Sequence, residues 1–276
     1  MTEVSSEEQR SRRRANTLLR VETAAGRLPL IAVEGMSLTF QSSIHTQFKR
    51  VGEEQVRHKR LRFVVSFGEE GWHCASGPCH QRTDCGHVQA AEVVAIQSRY
   101  YRRIISLYEY LENGTADLSS FARVIGQAKR YAAVLGQDTE GFFAADSTTL
   151  NSSDASQRLP TGCLMLDRAA TQFSFGHELR VGSLLIASRK SITQFTARGW
   201  RCNCEAAAAY GLGCHHSHVA HLLRLKWQLC RAIVGLYSTA AAQGRVIVLA
   251  HRRWHDEAAT FLQALQPHHE WRQQAA

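Results

Sequence analysis

Two blocks of the chain share one hydrophobic pattern: a short apolar run, a Gly-Trp pair, a cysteine cluster, and a long stripe at helical spacing. The first runs Phe63-Val-Val-Ser-Phe-Gly-Glu-Glu-Gly-Trp-His-Cys74, the second Ser191-Ile-Thr-Gln-Phe-Thr-Ala-Arg-Gly-Trp-Arg-Cys202. Phe67, Gly71, Trp72 and Cys74 match Phe195, Gly199, Trp200 and Cys202, which predicts a distant internal repeat. Leu28-Pro29 and Leu159-Pro160 open the two halves.

β-Formers bounded by glycine or charge predict strands over 61–67, 180–187 and 191–197, with a Gly-Glu-Glu-Gly turn at 68–71. After His87 the apolar residues Val88, Ala91, Val94, Tyr101, Ile104, Ile105, Tyr108 and Leu111 recur at helical spacing, closed by Asn113-Gly114. After His216 the stripe is Val219, Leu222, Leu223, Trp227, Cys230, Ile233, Val234 and Tyr237. Leu118, Phe121, Val124, Ile125, Ala128, Tyr131 and Ala132 predict a further helix over 117–135. The apolar run 245–250 reads as a core strand, followed by a helix around 254–265 and a His/Gln-rich tail.

These elements predict an α+β fold: two repeated units of β-strands, metal cluster and long helix, packed through their helices. The expected division is a basic, flexible tail over 1–27, an N-terminal unit over 28–135, and a polar linker over 136–160. A C-terminal unit follows over 161–240, then a strand, helix and tail over 241–276.

Composition narrows the class. Hydrophobic residues make up 44% of 276, enough for a globular core. No apolar run approaches the roughly 18–20 residues of a membrane-spanning helix. Acidic residues precede any hydrophobic stretch at the N-terminus, which does not resemble a secretory signal and weakens a mitochondrial one. An intracellular protein is expected. The net charge of +9 suits phosphate-rich partners. Three basic runs are candidates for phosphate contact: Arg10 to Arg14, Lys49 to Arg62, and Arg252-Arg253 beside Trp254.

Six of the eight cysteines fall in the two clusters. Cys163 and Cys230 stand apart and read as buried small hydrophobes. Zinc takes four thiolate or imidazole ligands in a tetrahedron. Cys202-Asn-Cys204 at a strand end and Cys214-His-His216 at a helix start supply such a set, and Gly211 and Gly213 loosen the loop between them. His215, His218 and His221 are alternatives or supporting partners. The N-terminal set is Cys74, Cys79, Cys85 and His87, with His73 and His80 as alternatives. One zinc is expected at the C-terminal cluster and a second at the N-terminal one. Each set is complete, with no position left for catalytic water, so a structural role is expected.

Gly199-Trp-Arg-Cys-Asn-Cys204, a nine-residue spacer, then Cys214-His-His216 and a long helix resemble the SWIM zinc finger, whose pattern is Cys-x-Cys…Cys-x-His. Residues 61–111 resemble a divergent second copy in which Cys-x4-Cys replaces Cys-x-Cys. By size the chain is most similar to the small SWIM subunits of Shu-type recombination complexes. That resemblance implies a nuclear protein acting in DNA recombination or repair, with nucleic-acid contacts and a protein partner of the Rad51-paralog-like ATPase kind. The alternative is a zinc-stabilised subunit of a larger organellar or RNA-processing assembly without direct nucleic-acid binding. No phosphate loop, nucleophile elbow, redox Cys-x-x-Cys or deaminase signature is present, so neither an enzyme nor a small-molecule substrate is expected.

Overall fold

A computed structural model describes residues 17–50, 53–69, 71–75, 79, 85–112, 114–135, 163–181, 184–210, 214–245 and 248–265. In chain order the strands β1 (Leu19–Thr23), β2 (Gly26–Glu34), β3 (Ser37–Arg50), β4 (Glu53–Gly68) and β5 (Gly71–Cys74) come first. Helices α1 (Gly86–Glu112) and α2 (Ala122–Leu135) follow, with a 3-10 turn at Ser119–Phe121 leading into α2. Then come β6 (Cys163–Met165), β7 (Gln172–Val181), β8 (Leu184–Thr196) and β9 (Gly199–Cys202), and helices α3 (Glu205–Tyr210), α4 (His215–Ala242) and α5 (Leu249–Ala264). The protein is α+β, with two antiparallel sheets and five α-helices among the described residues.

Contacts divide the chain into two compact units, described residues 17–95 with 134–135 in one and 96–133 with 163–265 in the other. The division falls inside α1, between Ala95 and Ile96. The expected linker, 136–160, lies outside the described residues, as does Leu159-Pro160. The segment 96–133 was expected with the N-terminal unit, but it packs with α4 and α5. Tyr100 lies beside Cys230, and Arg103 pairs with Glu257 at 2.8 Å.

The first unit is a five-strand meander, β1-β2-β3-β4-β5. Its buried side chains alternate along β1, β3 and β4: Leu19, Val21 and Thr23, then Leu38 and Phe40, then Phe63 and Val65. One face is packed and the other meets water, as antiparallel sheets allow. β1 corrects the expected tail over 1–27, since ordered structure begins within it. Its Leu-Arg-Val-Glu-Thr alternation places Arg20 and Glu22 on the wet face.

The second unit holds a four-strand meander, β6-β7-β8-β9, and a helical layer. α4 runs against β7, β8 and β9 and is buried on most sides, with Leu223, Ile233 and Leu236 among its fully buried side chains. Tyr100 and Tyr101 are buried core residues, and Trp227 is half-buried under Arg231. Mid-helix Gly235 admits Phe121: a Cβ there would meet the Phe121 ring at 2.8 Å.

Two further expectations are corrected. The strand expected over 180–187 is two strands, because β7 ends at Val181 and β8 begins at Leu184, with these residues paired across a reversal. The strand expected over 245–250 is absent from its described part. Val248 is the extended cap of α5, and Leu249 and Ala250 are already helical. His251, Ala258 and Phe261 are buried along α5, and that helical stripe extends back through two good helix formers.

Candidate metal centres

The same hairpin builds both clusters. Gly71 and Gly199 each turn the chain with φ of +100°, a backbone conformation that side-chain-bearing residues rarely adopt. Phe67 then pairs with Trp72, and Phe195 with Trp200. The ring pairs meet edge-on, with centroids 5.2 Å and 5.3 Å apart. Two residues on, Cys74 pairs with Val65 and Cys202 with Thr193. The Ala75 N–H donates to the Val64 carbonyl at 3.0 Å, and the Asn203 N–H to the Ile192 carbonyl at 3.2 Å. The repeat read from four identities is thus a repeat of register.

Each hairpin delivers its first cysteine at the end of its last strand. The third cysteine and the histidine sit at the start of a long helix. Gln89 N–H donates to the Cys85 carbonyl, and His218 N–H to the Cys214 carbonyl, both at 3.1 Å. Cys214 caps α4: its sulfur accepts from Ser217 N–H at 3.5 Å and lies 3.2 Å from Ser217 Oγ. The copies differ at the second cysteine. Cys204 directly precedes α3, and its sulfur accepts from Ala207 N–H at 3.4 Å. Cys79 stands five residues beyond Cys74.

The structure brings the eight expected side chains into two groups, Cys74, Cys79, Cys85 and His87, and Cys202, Cys204, Cys214 and His216. Within each group the candidate ligand atoms lie within 4.8 Å of one another. A tetrahedral zinc with Zn–S of about 2.3 Å and Zn–N of about 2.0–2.1 Å sets S···N separations near ~3.5 Å. Cys79 Sγ and Cys85 Sγ lie 3.6 Å and 3.8 Å from His87 Nδ1. All six cysteines are free thiols. The donor set and its spacing therefore fit one zinc in each group.

Electrostatics point the same way. Burial, then the charges of Cys85 and Cys74, push the Cys79 thiol up to about 12. Burial, with neighbouring Cys204 and Cys214, pushes Cys202 up to about 12 as well. Three crowded sulfurs cannot all ionise without a cation among them. Burial also acts to raise Cys214, but hydrogen bonds from Ser217, Cys204 and Cys202 outweigh it and hold this thiol below its ordinary value. A thiolate at a helix N-terminus is favoured in the same sense. Burial lowers His87, keeping its imidazole neutral, the form that binds metal.

The rings around the histidines are contacts the sequence reading did not identify. Phe63 stacks on His87 at 3.7 Å, and Phe175 lies 5.4 Å from His216. Ser217, three residues after the capping Cys214, donates to the cap and carried no capping signal of its own, because a cysteine holds the N-cap position. Of the alternative ligands, His215 and His73 are exposed, His218 is buried, and His221 turns toward Trp200; none joins a group. His80 lies outside the described residues.

Among the basic runs, Arg10 to Arg14 lie outside the described residues. So do the side chains of Lys49, Arg50, Arg57, Lys59 and Arg60; Arg62 is exposed. Arg252 and Arg253 are exposed, and Arg253 pairs with Glu257 at 3.1 Å. Cys163 and Cys230 are buried, as expected. No helix among the described residues is long and apolar enough to cross a membrane.

The fold carries two Cys3His groups that could hold zinc or a similar metal, each on a copy of the same hairpin-and-helix module. No family model, curated protein or solved structure matches the chain.

Proposed function

We propose that the chain is a non-enzymatic, zinc-stabilised interaction protein of SWIM type. It would bind nucleic acid or protein, with a role in DNA recombination or repair and a nuclear location. The observation that carries the reading is the duplicated placement of a Cys3His group at the start of a long helix. Zinc bound to such a set contributes roughly 10–16 kcal/mol in small peptides. That is comparable to the whole stability of a domain, about 5–15 kcal/mol. The ions here are structural: each set of four ligands is complete, and what the module offers a partner is surface.

The positive charge supports nucleic-acid contact, and the SWIM resemblance supports a protein partner such as a Rad51-paralog-like ATPase. Metal analysis of the purified chain tests the core of this reading. Two zinc ions per chain are expected, falling to one in Cys204→Ser. A metal-free protein with an unchanged fold would overturn it. Filter binding at low salt separates the nucleic-acid role from a purely protein-directed one, because phosphate contacts weaken steeply with added salt.

A further inference from the structure

Helix α4 turns its apolar stripe inward, and its outer face carries arginines set over aromatic rings. The Arg224 guanidinium lies over the Phe195 ring, 3.7 Å from its centroid, and that of Arg231 over the Trp227 ring at 4.7 Å. Seven residues separate the two arginines, so they share one side of the helix, roughly 10 Å apart along its axis. Gln228 and Arg231 are exposed, and Arg224 and Trp227 are half-buried. Phe195 is 38% exposed, at the end of β8 where the buried alternation of Ser191 and Thr193 gives out. Arg198 is exposed in the turn that follows. Lys226, by contrast, is buried over the Phe261 ring at 4.4 Å. The sequence of α4 contains neither aspartate nor glutamate.

The fold does not require these pairs, as the other copy shows. α1 begins on the same Cys-x-His, yet eight and eleven residues after His87 it carries Ala95 and Ser98. At the same distances after His216, α4 carries Arg224 and Trp227. The turn before Cys74 reads Gly68-Glu-Glu-Gly71, whereas the turn before Cys202 reads Thr196-Ala-Arg-Gly199. The same hairpin and helix start thus form without either pair. What the pairs add is a preset cation. An arginine already stacked on a ring loses less side-chain freedom on binding. The exposed Arg231 keeps its outer plane for a base and its N–H groups for a phosphate.

We propose that this face binds single-stranded DNA, one segment per chain. Bases stack among Phe195, Arg224, Trp227 and Arg231, and phosphates meet Arg198 and Arg231. This rests on the interaction reading above and names its partner. Rings interleaved with arginines fit unpaired bases, each of which offers a π-face, and the acid-free helix suits the backbone between them. A duplex keeps its base faces stacked on one another, and an acidic peptide would need only the charges.

The test uses the full zinc-loaded chain and oligo-dT, followed at low salt by anisotropy of a labelled strand and by quenching of tryptophan fluorescence with an unlabelled one. Binding with quenching is expected, tighter than for a duplex of the same length. Trp227→Leu and Phe195→Leu should each weaken it about tenfold, the effect of one lost stacked base. Trp227→Phe should keep most of the affinity and lose most of the quenching. Arg231→Lys keeps the charge without the plane, and should weaken binding severalfold with the salt dependence unchanged. Arg231→Gln with Arg198→Gln should weaken it further and flatten the salt dependence. Arg20→Gln with Arg252→Gln removes as many exposed charges elsewhere and should change binding little. Zinc content and thermal stability of every variant are measured alongside; where a leucine variant unfolds, the Arg231 variants decide. Absence of oligo-dT binding overturns the proposal. So do wild-type affinity in Arg231→Lys, an equal loss in the Arg20 and Arg252 control, and a duplex bound as tightly as the single strand. A wild-type chain without zinc would instead defeat the reading under Proposed function.

Discussion

The indole N–H of Trp200 donates to Nδ1 of His221 across 3.3 Å, tying the hairpin that carries Cys202 to the helix that carries His216. Trp200 is almost fully buried, so the bond is shielded from water. It requires the neutral His221 to carry its proton on Nε2. Trp200→Phe keeps most of the ring and removes the donor, and should cost about 1–3 kcal/mol, since it leaves an acceptor without its partner. Trp200→Ala should cost about 3–5 kcal/mol. Urea denaturation of the zinc-loaded protein measures both; a Trp200→Phe variant as stable as wild type would show that the hydrogen bond contributes nothing separable.

Metal retention should fall with pH. Binding requires thiolates and a neutral imidazole, and Cys79 and Cys202 lie near 12 without the ion, so zinc must displace protons and acid competes for the same atoms. Release followed with a chromogenic chelator should increase as the pH is lowered from neutral. Zinc retention independent of pH would contradict this ligand set.

Gly235→Ala should destabilise the second unit although alanine is the better helix former. The gain in propensity is about 1 kcal/mol, while the added methyl would sit 2.8 Å from the Phe121 ring. Overpacking of this kind costs about 1–3 kcal/mol, so a net loss is expected in thermal denaturation. Phe121→Leu in the same chain should recover part of it. A stabilised single variant would show that the ring moves aside freely.

His251 gives the helical layer a pH dependence. It is buried in α5, with Nε2 3.1 Å from Ser106 Oγ, and it lies against Tyr110 and Trp254. Burial lowers its pKa. The unfolded chain therefore binds the proton more readily, and the stabilising contribution is fully present above the unfolded value of about 6.5. It is lost as pH falls through the lower folded value. Stability curves of wild type and His251→Phe between neutral and mildly acid pH should converge toward the acid side. Parallel curves would remove His251 as the source.

The repeat and the clusters were legible because their chemistry leaves few substitutes. Glycine at φ near +100° and the cysteine and histidine donors keep their identities, so Phe67 to Cys74 and Phe195 to Cys202 could be aligned from letters alone. The long helices were legible from stripes that the core enforces. β1 was not recognised, because charged residues upstream suggested a tail and hid the alternation of Leu19, Val21 and Thr23. The β7–β8 reversal was missed because apolar residues flank it on both sides and read as one run. The start of α5 was hidden by β-branched residues just before Leu249, a local preference that the helical stripe through His251 and Phe261 overrides. Only the paired registers place His73 beside Ser66 and Arg201 beside Gln194.

All donors of each cluster come from one short stretch of chain, Cys74 to His87 or Cys202 to His216. Closing so small a loop costs little entropy, and every donor has left the ribosome before most of the helix that follows. Metal supply during synthesis, rather than after it, should therefore govern the yield of native chain. Translation in a chelated extract with zinc restored only afterwards would then give less native protein than translation with zinc present throughout.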